Sequence, residues 1–296
     1  MPRAGHPKLR EMIARLLRWR LLLRVVLTLA AVLLLPKPAG LITALVLFWS
    51  HGFVMLLSFG SLLWINRSAP LPLLRALWHE FWLYEWVFGW SQPFAEQRMP
   101  DFTATREGSR GILLLHGFSC NRAIWNGWLR RLRSQETPCV ALSLTPIHGS
   151  IDDYAIAIEE AVQRLHKATG QAPLIVAHSM GGLAVRSWWR THGAAGRISA
   201  IVTLGSPHSG TIAAYFGTAT NVQQMRPSSA WLRALAESEI EKPLPPAICY
   251  ISACDQIVCP TPTARLPGAR SIELPGTGHL SMVFHPQVWA DVRQLL

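Results

Sequence analysis

Apolar and polar positions divide the chain near residue 100. Before that point the apolar residues form long runs. Leu21 to Leu35 is broken only by Arg24 and Thr28, and Leu41 to Ile65 contains no Asp, Glu, Lys or Arg. Pro36-Lys37-Pro38-Ala39-Gly40 separates the two. After residue 100 the apolar runs are short and alternate with stretches of helical spacing. A helix rises 1.5 Å per residue, so about 20 apolar residues cross a bilayer core. The pattern therefore predicts membrane helices over about 16–35 and 41–65. The first crosses only if it starts near Leu16, with Arg18, Arg20 and Arg24 reaching toward the headgroups.

A third segment, LPLLRALWHEFWLYEWVFGW over Leu71 to Trp90, is too interrupted by Arg75, His79, Glu80 and Glu85 to span. Its four Trp and one Tyr suit a water–lipid interface. It is expected to lie on the membrane or to pack on the domain that follows. His79, Glu80 and Glu85 invite a metal assignment, but no second histidine stands at the needed spacing. No metal site is expected.

Charge sharpens this reading. The formal net charge is +11. Residues 1–24 hold seven Lys/Arg and one Glu, so six of those charges sit in the N-terminal flank. A basic flank before an apolar run marks a cytoplasmic N-terminus. Basic residues are not interleaved with aromatic platforms along a face, so no nucleic-acid partner is expected. A cleaved signal peptide is disfavoured because no small-x-small site precedes the second apolar run. Two crossings return residue 66 onward to the cytoplasmic side, whereas a single crossing faces it outward. Five cysteines, an odd number, favour a reducing compartment and thus the cytoplasmic face of a bacterial inner membrane. Cys249, Cys254 and Cys259 are spaced unlike zinc ligands and read as structural.

Beyond residue 100, strands are expected at 111–115, 139–144, 174–177, 198–204, 247–252 and 270–274. Helices are expected near 121–135, 151–168, 180–192, 228–239 and 286–295. Continuous apolar strands separated by helices mean a parallel sheet covered on both faces, an α/β fold. Such sheets carry their chemistry at the carboxyl ends of the strands.

The third of those ends is Ala177-His178-Ser179-Met180-Gly181-Gly182. A strand turning sharply into a helix lifts a serine hydroxyl above the sheet and needs small neighbours. The first strand ends in His116-Gly117-Phe118, where a backbone N–H can face a developing oxyanion. The N–H of Met180, at a helix start, supplies a second donor. A nucleophilic serine needs a base and an orienting acid. Of five aspartates, only Asp255 follows a late strand, and Gly276-Thr-Gly-His279 presents an imidazole after the final one. His148, His178, His208 and His285 compete as base. His178 is expected to point away from its neighbour's hydroxyl, and His285 to open the last helix. The chain order Ser, Asp, His fits a hydrolase triad.

The stretches LLLHGFSCNRAIW, SIDDYAIAIEEAVQRL, LIVAHSMGGLAVRSW, IVTLGSPHSGT, QMRPSSAWLRAL, ISACDQIVCP and GTGHLSM together resemble the α/β-hydrolase lipases and esterases of bacteria, over about residues 111–296. The resemblance implies an α/β-hydrolase fold. It also implies Ser179 as nucleophile, Asp255 as acid, His279 as base, and Phe118 and Met180 as oxyanion donors. Two departures stand out: alanine replaces the commoner glycine at 177, and the usual secreted lipases have no N-terminal hairpin. Some relatives bind structural calcium, but Asp is too scarce here for a carboxylate cluster, and no cofactor is expected. The expected organisation is a basic N-terminus with membrane helices (1–67), an interfacial helix and linker (68–100) and a catalytic domain (101–296). A lid is expected within 209–246, between the fourth apolar run and the one bearing the acid, where Ile212, Tyr215, Phe216, Met225, Trp231 and Leu232 fall. The expected function is a membrane-anchored hydrolase of fatty-acyl esters. The alternatives are thioester hydrolysis or acyl transfer at the same site, or non-catalytic lipid binding.

Overall fold

The computed structural model describes residues 11–104 and 108–296. The basic residues Arg3, Lys8 and Arg10 lie outside the described residues. Strands β1 (Ile112–Leu115), β2 (Cys139–Leu142), β3 (Leu174–His178), β4 (Ala200–Leu204), β5 (Ala247–Ile251) and β6 (Arg270–Glu273) form one sheet in the order β2-β1-β3-β4-β5-β6. Every pairing is parallel. All six expected strands are present.

Because side chains alternate along a strand, an apolar run such as Ile112-Leu-Leu-Leu115 feeds two cores at once. Leu113 and Leu115 pack with Ile158, Val162, Leu165, Leu183 and Trp188 on one face. Ile112 and Leu114 pack with Ile124, Trp125, Leu129 and Val288 on the other. The first face is covered by the helices Ala155–Thr169 and Met180–His192, and the second by Asn126–Ser134 and Pro286–Arg293. His285 opens the last of these as expected, its ring accepting the Gln287 N–H at 3.3 Å.

The N-terminal part departs from expectation. Helix α1 (Met12–Leu34) carries four arginines between residues 15 and 24, and the second apolar run is not one helix. It forms α2 (Ala39–Phe48) and α3 (Ser50–Ile65), bent by 62° across Trp49. Among the described residues no single helix is long and apolar enough to cross a membrane; the bent pair α2–α3 together has the length and hydropathy. Polar contacts that serve the protein explain the break with simple spanning. Arg24 of α1 makes a bidentate ion pair with Glu85, at 3.0 and 3.2 Å, on α4 (Pro70–Trp86). His51 of α3 is buried between the rings of Phe81 and Tyr84 of α4. Met55, Phe59 and Leu62 of α3 and Leu73 and Ala76 of α4 form one cluster with Cys254 and Cys259 of the hydrolase-like part. The connection between α3 and α4 is pinned there too. Asn66 Nδ2 and Ser68 Oγ both donate to the Ala253 carbonyl, at 2.9 and 2.8 Å.

The outward faces of these helices stay apolar. Leu22, Val26, Leu33, Ile42, Leu45, Phe53, Leu57 and Trp64 are exposed, as are Trp78, Trp82, Trp86 and Trp90 at four-residue spacing. All five cysteines are free and buried.

Candidate active site

Ser179 sits between β3 and the helix Met180–His192 with φ 55° and ψ −129°, a backbone conformation that costs energy for a residue with a Cβ. Its N–H is tied to the Leu204 carbonyl at 2.9 Å and its carbonyl accepts the Gly182 N–H at 3.1 Å, so the turn is held from both sides. The serine is thus fixed at the carboxyl end of a central strand, where the alternation of strands and helices placed it.

Asp255 and His279 meet at the same edge. His279 Nδ1–H donates to Asp255 Oδ2 at 2.9 Å. The other oxygen, Oδ1, accepts the N–H groups of Ile257 and Val258 at 2.9 and 2.7 Å. The carboxylate is therefore anchored by its own turn and leaves one oxygen for the imidazole. A proton on Nδ1 leaves Nε2 as the basic nitrogen. Burial alone pulls the His279 pKa down. The charge and hydrogen bond of Asp255 outweigh it, Glu80 adds to them, and the net shift is upward. Gly205, after β4, has φ +52°, and a Cβ there would lie 2.7 Å from Asp255 Oδ2 and 3.1 Å from His279 Nδ1. The glycine in IVTLGSPHSGT is what lets acid and base meet.

Ser179, His279, Gly117 and Phe118 line one cavity of about 310 Å³. At the end of β1, His116 Nδ1 lies 2.8 Å from the Gly117 carbonyl while its Nε2 accepts the Leu144 N–H at 2.8 Å. Burial drops its pKa to about 4, so the ring is neutral and Nδ1 carries the donated proton. Cys120 N–H also donates to that carbonyl, at 3.3 Å. A carbonyl held this way fixes the peptide plane whose other end is the Phe118 N–H.

Of the competing histidines, His178 lies against His279, ring centroids 4.5 Å apart, and its Nε2 is 3.1 Å from the His279 carbonyl. Burial and then the neighbouring His279 push its pKa well below the ordinary value, so it donates as a neutral imidazole. It supports the loop of His279. His208 is buried behind β4, its Nε2 3.1 Å from Thr203 Oγ1.

The sequence did not reveal what closes the cavity. Beside His178, Gln256, Ile257 and Leu280 of the strand-end loops, much of its wall is N-terminal: Arg20 from α1, His51, Val54, Met55 and Ser58 from α3, and Glu80 and Tyr84 from α4. None of its lining residues falls within 209–246. That segment forms a 3₁₀ turn (Ile212–Phe216) and the helices Thr220–Gln224 and Ala230–Glu241. The last is fastened to the helix after Ser179 by Arg186–Glu239 bonds of 2.6 and 2.9 Å. The signal for an N-terminal wall was available: on α4 the buried positions Leu73, Ala76, Glu80 and the later Val87 keep helical spacing, with one carboxylate among apolar residues. Among the described residues no group of three or more His, Cys, Asp or Glu could hold a metal ion.

The model of the α/β hydrolase family matches residues 112–235. No curated protein matches the sequence. Among solved structures, the mature Bacillus licheniformis lipase BlEst2 aligns with a TM-score of 0.56 at 16% identity, over 67% of this chain and 96% of that one. Aspergillus fumigatus lipase B aligns at 0.52 and 15% identity over 62% of this chain. Here the match spans only 51% of the lipase. At these identities the likeness establishes the fold: an α/β-hydrolase fold with a six-stranded parallel sheet.

Proposed function

We propose that this protein is a serine ester hydrolase that takes acyl esters of lipid origin and works seated on a membrane. The observation that carries the reading is Ser179 on its strained turn, sharing a cavity with a His279 that is hydrogen-bonded to a buried Asp255. Ser179 Oγ attacks the ester carbonyl as His279 Nε2 takes its proton, and Asp255 stabilises the imidazolium. The oxyanion rests on the N–H groups of Phe118 and Met180, the latter at a helix N-terminus. The imidazolium then protonates the departing alcohol. Water, deprotonated by His279, releases the acid in the second half-reaction. The lipases BlEst2 and lipase B share the fold and lend support to an ester substrate.

Membrane seating is supported by the exposed apolar faces of α1 to α4 and the tryptophan stripe. Helix α3 is the link between seat and site. Val54, Met55 and Ser58 line the cavity, while Phe53, Leu56 and Leu57 are exposed. Apolar side chains of α3 thus stand both in the cavity of Ser179 and on the exposed face, which supports entry of an acyl chain from the bilayer. The five free cysteines favour the cytoplasmic face.

The test is labelling of isolated membranes with a fluorescent fluorophosphonate, comparing the native protein with Ser179→Ala. Labelling lost in the variant supports an activated serine; equal labelling of both, or none of either, refutes it. Flotation with phosphatidylglycerol-containing vesicles after replacing Trp78, Trp82, Trp86 and Trp90 by serine tests the seat. Unchanged flotation refutes the tryptophan contribution.

A further inference from the structure

Helix α4 presents two contrasting faces. Leu71, Leu74, Trp78, Trp82 and Trp86 are exposed, whereas Leu73, Ala76 and Glu80 are buried. A carboxylate with 0% exposure in an apolar stripe must be met by donors. The donors that meet Glu80 come from the loops of the triad. Oε1 accepts the Leu280 N–H at 2.5 Å and the Gln256 amide at 3.1 Å. Oε2 accepts the Ser281 N–H at 3.1 Å and the Ser281 hydroxyl at 2.7 Å. Gln256, next to the acid, in turn accepts the N–H of His279 itself at 3.2 Å. The loop is shaped for this contact: a Cβ on Gly278 would fall 2.5 Å from Glu80 Oε2 and 2.8 Å from its Cδ.

We propose that Glu80 is a positioning residue for the catalytic base. By gathering the N–H groups of residues 280 and 281, and through Gln256 that of His279, it holds the base loop from the tryptophan-faced helix. Helix α4 is thereby an inseparable part of the active site rather than a detachable anchor. The inference rests on the triad reading above.

Electrostatics gives the role a signature that packing alone lacks. The groups facing His279 are Asp255 from the loop after β5, Glu80 from α4 and His178 from β3, with Arg20 and His51 on the same cavity. The Glu80 charge favours the imidazolium. A neutral replacement therefore lowers the His279 pKa and moves the acid limb of kcat/KM to lower pH.

The experiment uses the full-length protein in detergent with a water-soluble p-nitrophenyl ester, comparing native protein, Glu80→Gln and Ser281→Ala. Glu80→Gln is expected to lower kcat about 10- to 100-fold, since small misplacements of reacting groups cost about that much. KM should stay within about twofold, because the amide keeps the shape of the cavity wall, and the acid limb should shift to lower pH. Ser281→Ala keeps the charge but loses one donor, so kcat should fall less and the limb should not move. Glu80→Gln with native kcat overturns the proposal. So does a loss of kcat with an unmoved limb, which is the behaviour of a loosened scaffold. Should Glu80→Gln not fold, Ser281→Ala and Gln256→Ala decide, and native kcat in both overturns it. Fluorophosphonate labelling separates the two levels: an unlabelled native protein refutes the triad reading, whereas a labelled native protein with an equally active Glu80→Gln refutes only the role of Glu80.

Discussion

Gly205→Ala tests the meeting of acid and base without touching either. The native φ of +52° imposes a left-handed backbone, which costs a residue with a Cβ about 1–2 kcal/mol. The new methyl would also sit 2.7 Å from Asp255 Oδ2, 3.1 Å from His279 Nδ1 and 3.2 Å from Met282 Sδ. A contact under 3 Å forces the neighbours apart, and overpacking of this kind costs roughly 1–3 kcal/mol more. Asp255 cannot retreat freely because its other oxygen holds the N–H groups of Ile257 and Val258. The imidazole must therefore move, and displacement on the scale of 1 Å corresponds to about 10²-fold in rate. The expected result is kcat/KM on a p-nitrophenyl ester lowered by about that factor, with stability to urea reduced by about 2–5 kcal/mol. Gly196→Ala is the control. Its φ is +77° but nothing lies within 4 Å of the methyl it would gain, so it bears the backbone cost alone and keeps its kcat. Native kcat in Gly205→Ala, or equal losses of kcat in both variants, refutes the placement of the pair against Gly205.

Two further outcomes are expected. Met55 lines the cavity beside Ser179, so Met55→Trp should shorten the preferred acyl chain. Each methylene excluded from apolar contact should cost about fourfold in kcat/KM, the equivalent of about 0.8 kcal/mol. A chain-length series that stays unchanged refutes α3 as the acyl wall. The second concerns acid. Burial holds His116 at a pKa of about 4, below the ordinary 6.5, so between those values the unfolded chain takes up a proton that the folded protein refuses. The contribution of His116 is therefore complete above about pH 6.5 and is lost as the pH drops toward 4, by about 3 kcal/mol; buried His178 and His208 act in the same direction, and the raised His279 acts against them. Urea midpoints that are flat across this window refute it.

Much of the hydrolase-like part could be read directly. A strand buried on both faces must be apolar at every position, so Ile112-Leu-Leu-Leu115 and Leu174-Ile-Val-Ala177 announce themselves locally, and the helices between them fix a parallel sheet. That Ser179, Asp255 and His279 stand at one edge was legible because each follows a strand, and the carboxyl ends of parallel strands share an edge of the sheet. The break at Trp49 was not legible. Its apolar run satisfies a long helix locally, and the 62° bend accompanies the packing of His51 between Phe81 and Tyr84.

What the sequence determined by itself is the order of elements, the parallel sheet and which residues stand at the carboxyl ends of its strands, because apolar periodicity and chain order are local properties. The tertiary structure alone decided that the N-terminal helices wall the cavity of Ser179 and that Glu80 reaches the His279 loop. Those contacts join residues about 200 positions apart, such as Glu80 and Ser281. A lone carboxylate on an apolar helix face signals that donors must exist, but only folding brings the donors to it.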